Sequence, residues 1–206
     1  MTTMRLQSYL TTMFPNVQMK RPLFYNAPAG IRFTLTNQKG VWEREYMKNV
    51  YARAYEIFET LHEKNDELLL VFKANAAQDD LLLKKKKETA IKKFIRSRLK
   101  KQEVQSVALL NNAEYIIACK TNDVKEKLLL QSIANRDLHI HPAIEEECYI
   151  VNLNKETIFH LYDERGLDIV SNNQSSLQLL QQKFHDWILD IDAACSKKVS
   201  KKTIIQ

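Results

Sequence analysis

His160, Asp163, Arg165 and Asp168 stand close together in the run HLYDERGLDIV, the densest grouping of chemically capable side chains in the chain. An imidazole beside a carboxylate can move a proton, and a guanidinium can hold an anion or a developing negative charge. A small hydrolase built on these four residues is therefore one reading. Local geometry offers another: Asp163 at the first position of a turn and Gly166 at the fourth suit a type I turn closed by a left-handed residue, a three-residue hairpin with a bulge. That geometry accounts for Asp163 and Gly166 and leaves Arg165 and Asp168 without a task. Because hairpin tips are usually solvated, the expectation is a contact surface made by Tyr162, Asp163, Glu164, Arg165 and Asp168, with no catalytic residue among them.

The remaining constellations are sparser. His139 and His141 lie two apart and would share one face of a strand, with Cys148, His160 or the acids Glu145 to Glu147 as further ligands. Two histidines without a defined third partner seldom hold a transition metal, and Pro142 argues for a loop, so no metal site is expected. No Walker loop, GxGxxG, GxSxG or HExxH occurs, and 3 glycines leave little scope for a phosphate-cradling loop. No cofactor is expected.

Charge is unevenly spread. The net charge is +6, yet the stretch from Lys84 to Lys101 carries ten Lys/Arg against one Glu, and residues 196–206 add four Lys. The rest is a mildly acidic body. A basic helix can lie along nucleic-acid phosphates, and Tyr51 or Tyr55 could stack on bases; a solvated helix face and ordinary packing explain the same residues more simply. The N-terminal run MTTMRLQSYLTTMFP has neither the continuous apolar core nor the cleavage site of a signal peptide, and LLLVF is too short to cross a bilayer. Cys119, Cys148 and Cys195 form no CxxC pair. A cytoplasmic protein with no membrane segment is the expectation.

These side chains need elements to position them. Leu6, Tyr9, Leu10 and Met13 predict a first helix stopped by Pro15, and Pro22 to Asn26 with Ile31 to Thr36 predict a β-hairpin around NAPAG. Trp42 to Lys64 reads as a long amphipathic helix, ELLLVFKA as a strand buried on both faces, and the basic stretch as a helix with Ile91, Phe94, Ile95 and Leu99 inward. AEYIIACKT predicts a strand, and Val124, Leu128, Leu129 and Ile133 the stripe of the next helix, capped by Asn122 or Asp123. ECYIVNL, TIFHLY and LDIVS predict a β-meander. Ser175 and Gln178 open a closing helix with Leu177, Leu180, Phe184, Trp187, Ile188 and Ile191 on one face. The fold class is α+β, a mostly antiparallel sheet covered by amphipathic helices. At 206 residues one domain over 1–195 is expected, with a basic tail at 196–206.

TIFHLYDERGLDIVSNN followed by FHDWILDID resembles the bacterial domain of unknown function 3885 family, whose hallmark is a YD-acid-RG hairpin and a closing aromatic W-x-L-D helix. The residues that carry the resemblance are Tyr162, Asp163, Arg165, Gly166, Asp168, Trp187, Leu189 and Asp190. Looser similarity reaches LFYNAPAGIRF, YARAYEIFE and NDELLLVF but not the basic helix. The resemblance implies a bacterial cytoplasmic protein and transfers no catalytic residue. The leading functional expectation is a non-catalytic module binding a protein partner, as an adaptor or an immunity-like inhibitor. Nucleic-acid binding through the Lys84 to Lys101 helix is the alternative, and the hydrolase is third.

Overall fold

Alternate residues of the strands feed two different cores, so this sheet must be covered on both sides. The computed structural model describes residues 2–36, 43–74, 81–96, 105–108 and 113–189. Seven strands form one sheet in the order β1-β7-β6-β5-β2-β4-β3, and every pairing is antiparallel. They are β1 (Ala29–Thr34), β2 (Glu67–Ala74), β3 (Gln105–Ala108), β4 (Ala113–Lys120), β5 (Glu147–Asn152), β6 (Thr157–Asp163) and β7 (Gly166–Ser171). In β2 the side chains of Leu68, Leu70 and Phe72 enter one core and those of Leu69 and Val71 the other, which is why its sequence is apolar throughout. The α+β class and the antiparallel sheet read from the sequence are present.

Four helices cover the first face: α2 (Glu43–Leu61), α3 (Leu81–Lys92), α4 (Glu126–Ala134) and α5 (Gln178–Lys183). Val50, Ala54, Ile57 and Phe58 of α2 and Leu129, Leu130 and Ile133 of α4 recur at helical spacing and pack on Phe72, Ile150, Phe159 and Leu161. On the opposite face α1 (Thr2–Met13) contributes Leu6, and the irregular segment that follows contributes Phe14, Met19 and Leu23. That segment, residues 14–28, is a strap lying across the sheet. Burying Leu23 completely is worth about 2 kcal/mol and pins the strap at its centre.

Three expectations are corrected and one strand is added. Residues Leu23–Asn26 form a 3-10 turn, and β1 pairs with β7 instead of with them, because the turn is tied into the sheet by a side chain described below. The basic helix ends at Lys92; Phe94 and Ile95 leave it to be buried, Ile95 bridging Val124, and the rest of the stretch, residues 97–101 with Leu99, lies outside the described residues. Strand β3 was not foreseen, since QSVA is too short and too polar to announce itself. Lastly, the closing helix breaks. Asn173 caps a 3-10 turn (Gln174–Leu177) by accepting the Ser175 amide, α5 stops at Lys183, and His185–Trp187 is again 3-10.

The chain then becomes extended: Ile188 bridges Phe33 and the Leu189 amide donates to the Arg32 carbonyl at 2.8 Å. A helix continuing through this point would leave the outer edge of β1 uncovered, and pairing that edge outweighs the helical periodicity of the sequence. Leu189→Pro deletes this donor while Ile188 already holds the extended conformation that precedes proline. The expected cost is about 1 kcal/mol, read as a melting temperature lower by roughly 3 °C. An unchanged melting temperature would show that the edge bond contributes nothing.

Candidate functional site

The sheet register builds the site before any loop does. Arg32 of β1 lies opposite Asp168 of β7, which lies opposite His160 of β6, and the His160 ring stacks on Tyr149 of β5 at 4.2 Å. This row points to the face that the strap covers. Asp168 is fully buried and accepts three hydrogen bonds, from Arg32 Nε at 2.7 Å, Arg32 Nη2 at 2.8 Å and the Phe24 amide at 3.0 Å. A bidentate guanidinium supplies the charge, and the amide satisfies a remaining lone pair. The strap is thereby bonded to β7 through one carboxylate.

A second buried carboxylate lies at the hairpin. The Asp163 side chain is 0% exposed; Oδ1 accepts the Arg165 amide at 2.9 Å, and Oδ2 accepts Arg165 Nε at 3.1 Å and the Arg21 guanidinium. Burial alone would raise its pKa, but the hydrogen bonds from Arg165 and Arg21 hold it below the usual carboxylate range. Tyr162 sits at a β-bulge between Leu161 and Asp163, and its carbonyl accepts Arg136 Nη2 at 2.7 Å. The bulge presents the Tyr162 ring between two cations: Arg21 lies 4.7 Å and Arg32 5.7 Å from its centroid. Arg32 in turn lies 5.3 Å from the Tyr25 ring and 5.5 Å from the Phe24 ring. The result is a continuous aromatic and guanidinium ladder, Tyr25, Arg32, Tyr162, Arg21, standing on two buried carboxylates.

Exposure separates the supports from the surface. Tyr25 is 62% exposed and the Arg165 side chain 67%, whereas Asp163 and Asp168 are fully buried. The expected contact surface of Tyr162, Asp163, Glu164, Arg165 and Asp168 is corrected accordingly: both aspartates are removed from it, because each neutralises guanidinium groups inside the protein. Tyr162 and Glu164 remain partly exposed. Gly166 pairs directly with Asp163, leaving a two-residue turn, and does not take the left-handed backbone that was expected. Glycine is needed there for space. A Cβ would lie 2.5 Å from the Phe33 carbonyl oxygen and would overlap the Tyr162 hydroxyl.

His160 meets neither aspartate. It is fully buried, neither ring nitrogen has a hydrogen-bond partner among the described residues, and burial, reinforced by Arg21 and Arg136, lowers its pKa to about 3. His62 is similarly buried, stacked on Phe58, and its pKa falls to about 4, chiefly through burial. His139 takes a left-handed conformation at φ 57 and is exposed, as is His141; the two share no strand. Among the described residues the histidines join no group of three metal-ligating side chains; such a group forms from Asp137, Asp163 and Glu164, of which Asp163 is already engaged by two arginines. Cys119 and Cys148 are buried free thiols whose pKa values burial raises, that of Cys119 to about 12. In the basic stretch, Lys87 pairs with Glu146 at 2.8 Å and Arg96 with Glu126 at 3.2 Å, while Lys85 and Lys86 face solvent. Tyr51 and Tyr55 pack against the core of α2 and α4. The sequence reading missed Arg21, Phe24, Tyr25, Arg32 and Arg136. Its available signal was the pair of charges interrupting apolar strands, Arg32 in GIRFT and Asp168 in GLDIV, since a charge at such a place must find its opposite.

The chain resembles known proteins along most of its length. The model of the family described as Domain of unknown function (DUF3885) matches residues 6–192. The relative named Uncharacterized protein YnaE, from Bacillus subtilis (strain 168), is 26% identical over 214 residues, covering 90% of this chain and 97% of the relative. No solved structure matches the chain.

Three outcomes follow from this arrangement. Asp168→Ala leaves Arg32 buried and unpaired and frees the strap, so equilibrium unfolding should show a loss of about 3–5 kcal/mol, whereas Arg165→Ala, on the exposed side of Asp163, should cost under about 1 kcal/mol. Gly166→Ala should cost about 1–3 kcal/mol although alanine suits the backbone there, because the added Cβ displaces Tyr162 and the Phe33 carbonyl. The histidines set an acid limit. With folded-state values of about 4 and about 3 against 6.5 in the unfolded chain, the unfolded state binds the extra protons below pH 6.5, so stability falls as the pH drops. Urea unfolding at pH 7 and pH 5 should differ by about 2 kcal/mol per histidine, and His160→Phe should remove that share of the difference.

Proposed function

The chain belongs to the domain of unknown function 3885 family, and we propose that it is a non-catalytic protein-interaction module, an adaptor or an inhibitor. Its contact surface is the ladder of Tyr25, Arg32, Tyr162 and Arg21 with Arg165 beside it. One observation carries this reading: Asp163 and Asp168 are wholly buried, yet they fix the position of Arg21 and Arg165, which reach the surface, and of Arg32, which is largely buried against the exposed Tyr25 ring. Tyrosine and arginine are the side chains that most often dominate binding energy at interfaces. Holding them in place in advance reduces the ordering cost of association.

The same geometry weighs against the hydrolase. His160 lacks an orienting carboxylate and is sealed beneath the strap, and both aspartates have spent their lone pairs on arginine and backbone donors. No helix among the described residues is long and apolar enough to cross a membrane. The buried free thiols of Cys119 and Cys148 favour a reducing compartment, and on that ground we place the protein in the cytoplasm.

Affinity capture from the native cell extract, run in parallel with Tyr25→Ala and Arg165→Ala, tests the surface. A partner held by the wild type and weakened about tenfold or more in each variant, with melting temperatures within roughly 2 °C of wild type, is the expected result. A partner retained equally by both variants would place the interface elsewhere.

A further inference from the structure

Resting on the interaction reading above, we infer that the ladder recognises a protein segment bearing side-chain carboxylates, Asp or Glu, next to an apolar residue. Three guanidinium groups, those of Arg21, Arg32 and Arg165, share two carboxylates, Asp163 and Asp168, and Arg21 and Arg165 lean on the same Asp163 oxygen. A guanidinium carries five N–H donors in a planar fork. Arg32 spends Nε and Nη2 on Asp168, Arg165 spends Nε and Nη2 on Asp163, and Arg21 spends Nη2, so each keeps an Nη1 edge. The side chain of Arg165 is 67% exposed, that of Arg21 35% and that of Arg32 14%, and Lys20, next to Arg21 in the chain, is exposed. Asp163 and Asp168, which pair directly with these arginines, are buried, so an incoming carboxylate approaches the guanidiniums from the side away from them, and the accessible acids Asp137 and Glu164 border the patch at the hairpin end. Tyr25, stacked against Arg32 and 62% exposed, offers the adjacent apolar face.

The charge balance also selects the class of partner. With Arg136 and Lys20 added to the three guanidiniums, and Asp137 and Glu164 to the two buried carboxylates, five cations stand against four acids, a small formal excess of positive charge. Nucleic-acid binding rests on a run of unneutralised cations that releases counterions from successive phosphates. A compact patch with a small net charge and spare fork edges instead suits one or two carboxylates at close range.

The test is a selection from a displayed random-peptide library on the full-length protein, followed by fluorescence polarisation of the enriched peptides and of a labelled poly-U RNA. Enriched peptides should carry Asp or Glu adjacent to an aliphatic or aromatic residue. Their affinity should fall about tenfold or more in Arg165→Gln and in Lys20→Glu, and Asp→Asn and Glu→Gln versions of the peptides should lose as much. Lys20→Glu keeps the test valid if Arg165→Gln disturbs the fold, since Lys20 makes no side-chain bond to Asp163. Peptides that bind at Tyr25, as shown by loss in Tyr25→Ala, but carry no acidic residue would overturn the inference and leave the interaction reading standing. Peptides indifferent to Tyr25→Ala would overturn both, and tight RNA binding lost in Lys20→Glu would replace the carboxylate partner with nucleic acid.

Discussion

The bond set of Asp168 is the constraint on which this molecule turns. One buried carboxylate joins β7 to β1 through Arg32 and joins the strap to the sheet through the Phe24 amide. Without it, Arg32 would be a buried cation in an apolar strand, and residues 14–28 would be held to the sheet mainly by Leu23, Met19 and Phe14. Asp163 repeats the device at the hairpin, where it draws Arg21 of the strap toward β6. The strap is thus tied by two buried carboxylates and by Lys73 of β2, whose Nζ donates to the Met19 carbonyl, and these ties limit the freedom of Tyr25 and the guanidinium ladder.

Buried ion pairs are poor investments in stability alone, because desolvation cancels much of their attraction. Apolar residues at these positions would hold the sheet together at least as well. What they would not do is carry guanidinium edges and aromatic rings to the surface at fixed spacing. We read the two aspartates as supports for a surface. Satisfied polar networks specify one arrangement strongly, and both Asp168 oxygens accept hydrogen bonds, three in all.

The strands and long helices were legible because their period is local. ELLLVFKA, AEYIIACKT and the Trp42 to Lys64 stripe each announce an element, and the structure has strands Glu67–Ala74 and Ala113–Lys120 and a helix Glu43–Leu61, Trp42 lying outside the described residues. The elements misread are those decided by a distant partner. Leu23–Asn26 has the composition of a strand and becomes a 3-10 turn because Asp168, far along the chain, claims the Phe24 amide. The helical stripe through Phe184 and Trp187 breaks into a 3-10 turn and the chain straightens at Ile188 and Leu189 to cover β1, a need invisible in its own residues. Gly166 was assigned to a left-handed turn by its neighbours, whereas its reason lies in Phe33 on another strand and in the Tyr162 ring folded over it. For the site, the hairpin residues are legible but the burial of Asp163 and Asp168 is not, since spacing in a sequence does not reveal which carboxylate will be roofed by a strap.

Amide hydrogen exchange at Phe24 tests the central claim most directly. If the Asp168 carboxylate locks the strap to the sheet, the Phe24 amide should exchange as slowly as the amides of the β6 and β7 ladder, through global unfolding, and its protection should rise and fall with global stability under added urea. Exchange at the rate of a solvent-exposed loop, independent of urea, would show that the strap opens by itself and that the surface it carries is not held in place.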